Sequence, residues 1–192
     1  MLNNKNPRRN FLSFGFAGVA AALTLGLFKR TFADGVLYNG EPVVVHEAEG
    51  KQIIMGRSKA QMTIKISAAD HGIENISVCT EDIVPGRKIH IHKHLHNDEI
   101  VFIQHGTGTF TLDEKTIPVK TGTVVSVPRG VWHGLENSGT ENIRMLFMYT
   151  PAGFEEYFVE NGTVVGSPPK TRTREEYAAT EKKYGMVNKV PR

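Results

Sequence analysis

Histidine occupies every second position from residue 90 to residue 96: His90, His92, His94 and His96. Because side chains alternate between the two faces of a β-strand, all four imidazoles would project from one face of a single strand. Glu99 follows three residues after the last of them. Imidazole is the commonest protein ligand for metals, and one added carboxylate gives a mixed nitrogen and oxygen donor set. The pattern therefore predicts a metal site on a β-strand.

The residues around this strand form two segments with regular spacing. The first runs Gly86, five residues, His92, one residue, His94, four residues, Glu99, six residues, Gly106. The second runs Gly122, five residues, Pro128, one residue, Gly130, two residues, His133, three residues, Asn137. These segments resemble the paired motifs of the cupin superfamily, and every motif residue stands at its family spacing.

The resemblance implies an all-β fold, a cupin-type antiparallel β-barrel (double-stranded β-helix or jelly roll) with short C-terminal helices. It also implies one divalent transition-metal ion per subunit, held by His92, His94, Glu99 and His133. Iron, manganese, copper, nickel and zinc all remain open, because the donor set suits each of them. The alternative is a polar network in a barrel that has lost its metal.

The other polar residues near the motifs have more than one interpretation. His96 lies where the strand should end, so it is either a catalytic residue at the pocket mouth or a solvated loop histidine. Glu99 either stays a ligand or swings away to act catalytically, by taking a proton from bound substrate. His90 and His105 are expected to be hydrogen-bonded core histidines. Trp132 either lines the cavity mouth or packs in the core.

The N-terminal segment is typical of an export signal. Arg8 and Arg9 precede Phe11-Leu12, the apolar stretch 11–28 contains no charge, and Thr31-Phe32-Ala33 offers small residues at a cleavage site. We expect export through the twin-arginine translocon to the periplasm, with cleavage after Ala33. The alternative is that the stretch stays uncleaved as a membrane anchor, because its length reaches the lower limit of a spanning helix.

Charge excludes one class of partner. Residues 1–33 carry five of the 23 basic residues and none of the 20 acidic ones, so their removal changes the net charge from +3 to −2. No basic patch with interleaved aromatic residues remains, and nucleic-acid binding is not predicted. Cys79 is the only cysteine, so no intramolecular disulfide can form.

Three regions are expected along the chain: the signal at 1–33, the barrel domain at 34–160, and a connector with a helix at 161–192. Short β-branched runs between turn residues predict strands at 42–46, 61–67, 75–81, 88–95, 99–105, 109–112, 115–119, 123–127 and 143–149. Helices are predicted at 153–159 and 174–184. The strand at 99–105 is apolar on both faces. We therefore expect its second face to be covered by a strand from within 41–67 or by a second subunit. The family resemblance favours a homodimer.

The leading functional hypothesis is a metal-dependent oxidoreductase, dioxygenase-like, acting on a small phenolic, enediol or diketone-type molecule. Its basis is the complete ligand set together with a tail, beginning Pro151-Ala152-Gly153-Phe154, that resembles bacterial single-cupin proteins related in sequence to quercetin dioxygenases. A non-enzymatic metal-binding or small-ligand-binding cupin is the second hypothesis. A lyase, decarboxylase or isomerase is the third, and it needs a proton donor near the metal.

Overall fold

A computed structural model describes residues 42–189. The predicted export signal and its cleavage site lie outside the described residues. None of the helices within 42–189 has the length and apolar character to cross a bilayer. The elements in chain order are β1 Lys51–Met55, β2 Gln61–Ile66, α1 Ala68–His71, β3 Ser77–Ile83, β4 Lys88–His94, β5 Asp98–His105, β6 Thr107–Leu112, β7 Lys115–Lys120, β8 Val124–Val127, β9 His133–Glu136, β10 Ile143–Thr150, α2 Glu155–Asn161, β11 Gly162–Val164, α3 Arg174–Tyr184 and β12 Met186–Asn188.

The strands form two antiparallel sheets that face each other. One sheet has the order β11-β1-β2-β3-β10-β5-β8 and the other has the order β12-β4-β9-β6-β7. Their inner faces meet at the polar cluster of the first motif, where the ring of His94 on β4 lies 5.1 Å from the ring of Tyr149 on β10. This arrangement confirms the predicted all-β barrel with short C-terminal helices.

Alternation along the strands determines which side chains fill the barrel. On β10, Ile143, Met145, Phe147 and Tyr149 are buried, whereas the residues between them are only partly buried. Burying a large apolar side chain stabilises a fold by roughly 1.5–3 kcal/mol. The strand predicted at 143–149 is therefore confirmed, and it forms one side of the core.

A β-bulge interrupts the alternation of β4. Between the pairs Ile89–Leu135 and His92–His133, β4 advances three residues while β9 advances two. The extra residue shifts the strand by one position, so Ile89 packs against the core while His90 is exposed. The expectation that His90 is a core histidine is wrong for this reason.

Strands β1 and β2 extend the seven-stranded sheet sideways and do not cover either of its faces. β1 and β2 pair with each other, and β2 pairs with β3, so this hairpin continues the seven-stranded sheet away from β5. The predicted cover of β5 by strands from 41–67 is therefore wrong, and Ile100 and Phe102 stay partly exposed. The predicted strand at 42–46 is also wrong, because this stretch is irregular. The ammonium of Lys65 instead donates to backbone carbonyls of the adjoining loop, at His46, Glu47 and Glu49.

The C-terminal helices connect to the ligand-bearing strand. Helix α3 has the predicted bounds; it begins after a capping box of Thr173 and Glu176 and ends at Gly185, which has φ +66°. β12 follows directly and pairs with β4, with Met186 opposite His94 and Asn188 opposite His92. The C-terminal segment thus forms the edge of the sheet that carries three of the four predicted metal ligands.

Candidate metal centre

Three strands bring the four predicted ligands together. His92 and His94 point inward at the end of β4, Glu99 points inward at the start of β5, and His133 begins β9. His92 is the direct cross-strand partner of His133. Glu99 comes from the opposing sheet, where it pairs with Tyr149. The two motifs therefore converge because β4 and β9 pair in one sheet, while β5 brings Glu99 from the other sheet.

The donor atoms of the four side chains point at a common centre. One ligand atom from each residue lies within 4.8 Å of the others. His92 Nε2 is 3.2 Å from His94 Nε2, and Glu99 Oε2 is 3.5 Å from His94 Nε2 and 2.8 Å from His133 Nε2. These separations suit donors around one cation, whose ligand distances are about 2.0–2.2 Å.

Backbone carbonyls fix two of the three imidazoles. His92 Nδ1 lies 2.8 Å from the carbonyl oxygen of His90, and His133 Nδ1 lies 3.0 Å from that of Val131. In each case the ring nitrogen donates to the carbonyl two residues earlier, which leaves Nε2 unprotonated and able to bind a metal. His94 differs, because its buried Nδ1 has no hydrogen-bond partner within residues 42–189.

Buried polar atoms without partners show that the residues fit a metal ion. Glu99 Oε2 and His133 Nε2 are fully enclosed, and their mutual contact lacks the geometry of a hydrogen bond. The exposed fractions of His92, His94, Glu99 and His133 are 7%, 2%, 4% and 3%. Enclosing such groups without partners is costly, and a bound cation removes that cost for all four.

Burial and mutual contact set the ionisation of the cluster. Burial, reinforced by His133 and His94, lowers the pKa of His92 to about 3. Burial alone would raise the pKa of Glu99, but contacts with His133 and His94 outweigh it and hold that pKa well below its usual value. Burial likewise opposes protonation of His133, yet the Glu99 carboxylate raises the pKa of His133 above its usual value. Glu99 and His133 thus shift each other's pKa in opposite directions, Glu99 downward and His133 upward.

Aromatic side chains enclose the cluster. Phe154, which immediately precedes α2, lies 4.2 Å from His94 between ring centroids, and Tyr149 lies 5.1 Å away. The ring of Phe110 is nearly parallel to that of His133 at 6.4 Å. The surroundings of the donors are therefore apolar, apart from the hydroxyl of Tyr149.

Comparison with known proteins identifies the architecture. Residues 79–149 match the family model of the cupin domain. A predicted oxalate decarboxylase from Thermotoga maritima, covering 57% of this chain and 99% of its own, superposes with a TM-score of 0.51 at 24% identity. The polyketide cyclase RemF from Streptomyces resistomycificus, covering 73% of this chain and 94% of its own, has the same score at 17% identity. The barrel has the cupin fold.

The chain spans only part of the length of the sequence relatives it matches. An uncharacterized protein of Methanocaldococcus jannaschii is 37% identical over 78 residues, 40% of this chain and 62% of that protein. The oxalate-binding protein of Thermotoga maritima is 36% identical over 62 residues, 32% of this chain and 51% of that protein. With the motif spacing, these matches support the cupin superfamily.

The remaining candidates from the sequence lie away from the cluster. His96 is exposed, and its ring packs so closely on Gly185 that a Cβ there would collide with it. A catalytic role for His96 stays a prediction. His105 is exposed and lies 3.2 Å from Glu141, so its expected place in the core is wrong. Trp132 is partly buried on the outer side, with the ammonium of Lys93 4.6 Å from its ring.

The sequence analysis does not predict the aromatic enclosure of this site. Tyr149 falls in the strand predicted at 143–149 and Phe154 in the helix predicted at 153–159, but neither is connected there to the ligands. Tyr149 shares the inward face of Met145 and Phe147, so alternation alone could predict its direction. Its position beside Glu99 depends on the register between β10 and β5, which the sequence does not give.

Proposed function

We propose that this cupin binds one divalent transition-metal ion through His92, His94, Glu99 and His133 and acts as a metal-dependent oxidoreductase. The proposed reaction is dioxygenase-like, on a small phenolic, enediol or diketone-type molecule. The observation that carries the proposal is the convergence of three Nε2 atoms and one carboxylate on a single centre. Two of the three imidazoles already have their Nδ1 atoms engaged by carbonyls, which orients them for a metal.

The surroundings of the cluster favour this class of substrate. A bound ion supplies Lewis acidity, which lowers the pKa of an acidic hydroxyl or carbon acid. Glu99, held as a carboxylate, can accept the proton released by such a molecule. The rings of Phe110 and Phe154 provide flat apolar surfaces and exclude water from the cluster.

A second candidate is a non-enzymatic cupin that holds a metal or a small ligand. The burial of all four donors favours it, because a substrate needs access to the ion. One relative is named an oxalate-binding protein, which shows that similar chains include binders. A lyase, decarboxylase or isomerase has less support, because His90, His96 and His105 all lie away from the cluster.

Oxygen uptake separates these candidates. Full-length protein is loaded anaerobically with iron, manganese, copper, nickel or zinc, mixed with phenolic, enediol and diketone compounds, and then exposed to oxygen. We expect uptake with at least one metal, and none with His133→Ala. Uptake with no metal, despite one bound ion per chain, would exclude the oxidoreductase and favour the binding protein. Product formation without uptake would favour the third class.

Two further parts of the proposal concern location and assembly. We expect export to the periplasm, because residues 8–12 carry the twin-arginine pattern. Replacing Arg8 and Arg9 by lysine should abolish export, and unchanged export would contradict the expected location.

We also expect a homodimer, with the partly exposed Ile100 and Phe102 facing the second subunit. Light scattering after size-exclusion chromatography should give twice the chain mass, whereas a monomer would contradict the dimer.

A further inference from the structure

His94 is the only one of the three imidazoles whose second nitrogen lacks a carbonyl acceptor in the described barrel. Its Nδ1 is enclosed and has no hydrogen-bond partner, while its Nε2 faces the other donors. When Nε2 is a ligand, the ring proton must sit on Nδ1, and a buried N–H without an acceptor is costly. Metal-binding histidines almost always donate this proton to a carboxylate, carbonyl or water. Within residues 42–189, no carboxylate or carbonyl accepts it.

Beyond the other donors of the cluster, two aromatic rings pack against His94. Phe154 is the nearest ring outside the ligand set, at 4.2 Å between centroids and with the two planes at 75°. Tyr149 is farther away, at 5.1 Å and 68°. The face of an aromatic ring is negative, and a nearly perpendicular ring at short distance can accept an N–H at that face.

The backbone that carries Phe154 is held firmly in place. The next residue, Glu155, is fully buried, and its carboxylate accepts from Gly153 N at 2.7 Å and from Ala68 N at 3.2 Å. Asn97, two residues before Glu99, donates to the carbonyl of Pro151 at 2.7 Å. These contacts fix the ring of Phe154 relative to the ligand-bearing strands.

We infer that Phe154 is a positioning residue for the metal centre, and that the face of its ring accepts the Nδ1–H of His94. The inference rests on the proposed metal site, since it concerns the tautomer that a bound ion imposes. A ring face is a weaker acceptor than a carbonyl. His94 is consequently the least strongly polarised of the three imidazole ligands, and Phe154 controls its orientation.

Magnetic resonance of the zinc-loaded full chain with 15N-labelled histidine tests the inference directly. His92 and His133 should show Nδ1 protons at low field, as expected for bonds to carbonyls. His94 should show an Nδ1 proton at higher field, shielded by the ring current, with a nuclear Overhauser contact to the ring protons of Phe154. Phe154→Leu, which removes the ring face but keeps an apolar side chain, should move only this proton to lower field.

Matched variants separate this role from packing. The ring of Phe158 packs near those of Phe154 and Tyr149, so Phe158→Leu is the control for a lost aromatic in the same aromatic cluster. We expect Phe154→Leu to weaken zinc binding about three- to tenfold, at the low end of losses at outer-shell partners. Phe158→Leu should leave zinc affinity unchanged, and Phe154→Tyr, which keeps the ring face, should restore it.

The outcomes distinguish the inference from the proposed function. Failure of the wild-type chain to bind zinc would contradict the metal site itself. Zinc binding with three low-field Nδ1 protons, or with no contact between His94 and Phe154, would overturn the role of Phe154 alone. An equal loss of affinity in Phe154→Leu and Phe158→Leu would also overturn it, since general packing would then explain the effect.

Discussion

The three imidazoles of the cluster are oriented by different means. His92 and His133 donate to carbonyls of their own strand segments, whereas His94 is held by aromatic rings from the opposing sheet and from the segment before α2. The site therefore depends on local backbone geometry at two ligands and on tertiary packing at the third. Changes in the segment before α2 should therefore affect the orientation of His94 first.

Metal binding should depend on pH through His133. Glu99 raises the pKa of His133 above its usual value although burial opposes this, so a proton competes with the metal at Nε2 in the ion-free protein. His92, with a pKa of about 3, is already neutral and does not contribute. Affinity should therefore fall as pH is lowered from 8 to 6, by up to about tenfold per unit below the raised pKa.

Calorimetric titration with zinc in buffers of different ionisation enthalpy measures this linkage. Proton release per ion should be larger at pH 6 than at pH 8. His105→Ala, which removes an exposed histidine paired with Glu141, is the control and should leave the profile unchanged. A zinc affinity that does not change between pH 6 and pH 8 would contradict the raised pKa of His133.

Glu81 should make stability depend on pH in a different way. Burial, together with Glu99 and Asp82, raises the pKa of this carboxyl from 4.5 to about 8. The folded state retains the proton up to about pH 8, whereas the unfolded chain loses it above about 4.5. The free energy of unfolding should therefore decrease as pH rises through this window, by an amount on the order of a few kcal/mol.

Glu81→Gln isolates this effect, because the amide keeps the size of the side chain and does not ionise. We expect denaturant unfolding of the variant to show a flatter pH profile between 4.5 and 8 and higher stability than wild type at pH 8. Glu136→Gln on the exposed end of β9 is the matched control. An unchanged slope in the Glu81 variant would show that this carboxyl does not retain its proton.

At the level of elements, alternation predicted most strands and the turns between them. Strands near 88–95, 99–105 and 143–149 are confirmed because their inward positions are consistently apolar or are ligands. Helix α3 is confirmed because Thr173 and Gly185 mark its two ends. Capping residues and periodicity act locally, so the sequence carries them directly.

Features that depend on how the strands pair were either not predicted from the sequence or predicted at the wrong place. β9 has four residues, and β11 and β12 have three each, too few to show a period. The bulge in β4 that exposes His90 exists only relative to β9. The place of β1 and β2 beside β3 likewise follows from edge pairing and not from their own composition. The four predicted ligand residues do lie together, because motif spacing already encodes their partner strands.

The cap of α3 provides a test at this scale. Thr173 accepts from Glu176 N at 3.2 Å, and Glu176 accepts from Thr173 N at 2.7 Å. Thr173→Ala should lower the free energy of unfolding by about 1 kcal/mol. Metal affinity should not change, because α3 contributes no ligand. Thr171→Ala, in the preceding exposed connector, is the control. Equal stability of the two variants would show that the cap contributes nothing.

At the level of the whole molecule, a barrel with the cupin fold encloses a polar cluster whose donors fit a cation. Two sheets supply the donors, aromatic rings cover them, and the C-terminal segment borders the ligand strand. Strand pairing and packing thus hold the four side chains of the cluster together in a chain with a single cysteine. The chemistry proposed for the protein follows only if the ion binds at that place.

Anomalous diffraction from crystals of the metal-loaded full chain tests this claim most directly. Data collected at the absorption edge of the bound metal should give one strong peak per chain. We expect that peak about 2.0–2.2 Å from the Nε2 atoms of His92, His94 and His133 and from the carboxylate of Glu99. A peak at another position, or none at these four side chains, would contradict the account.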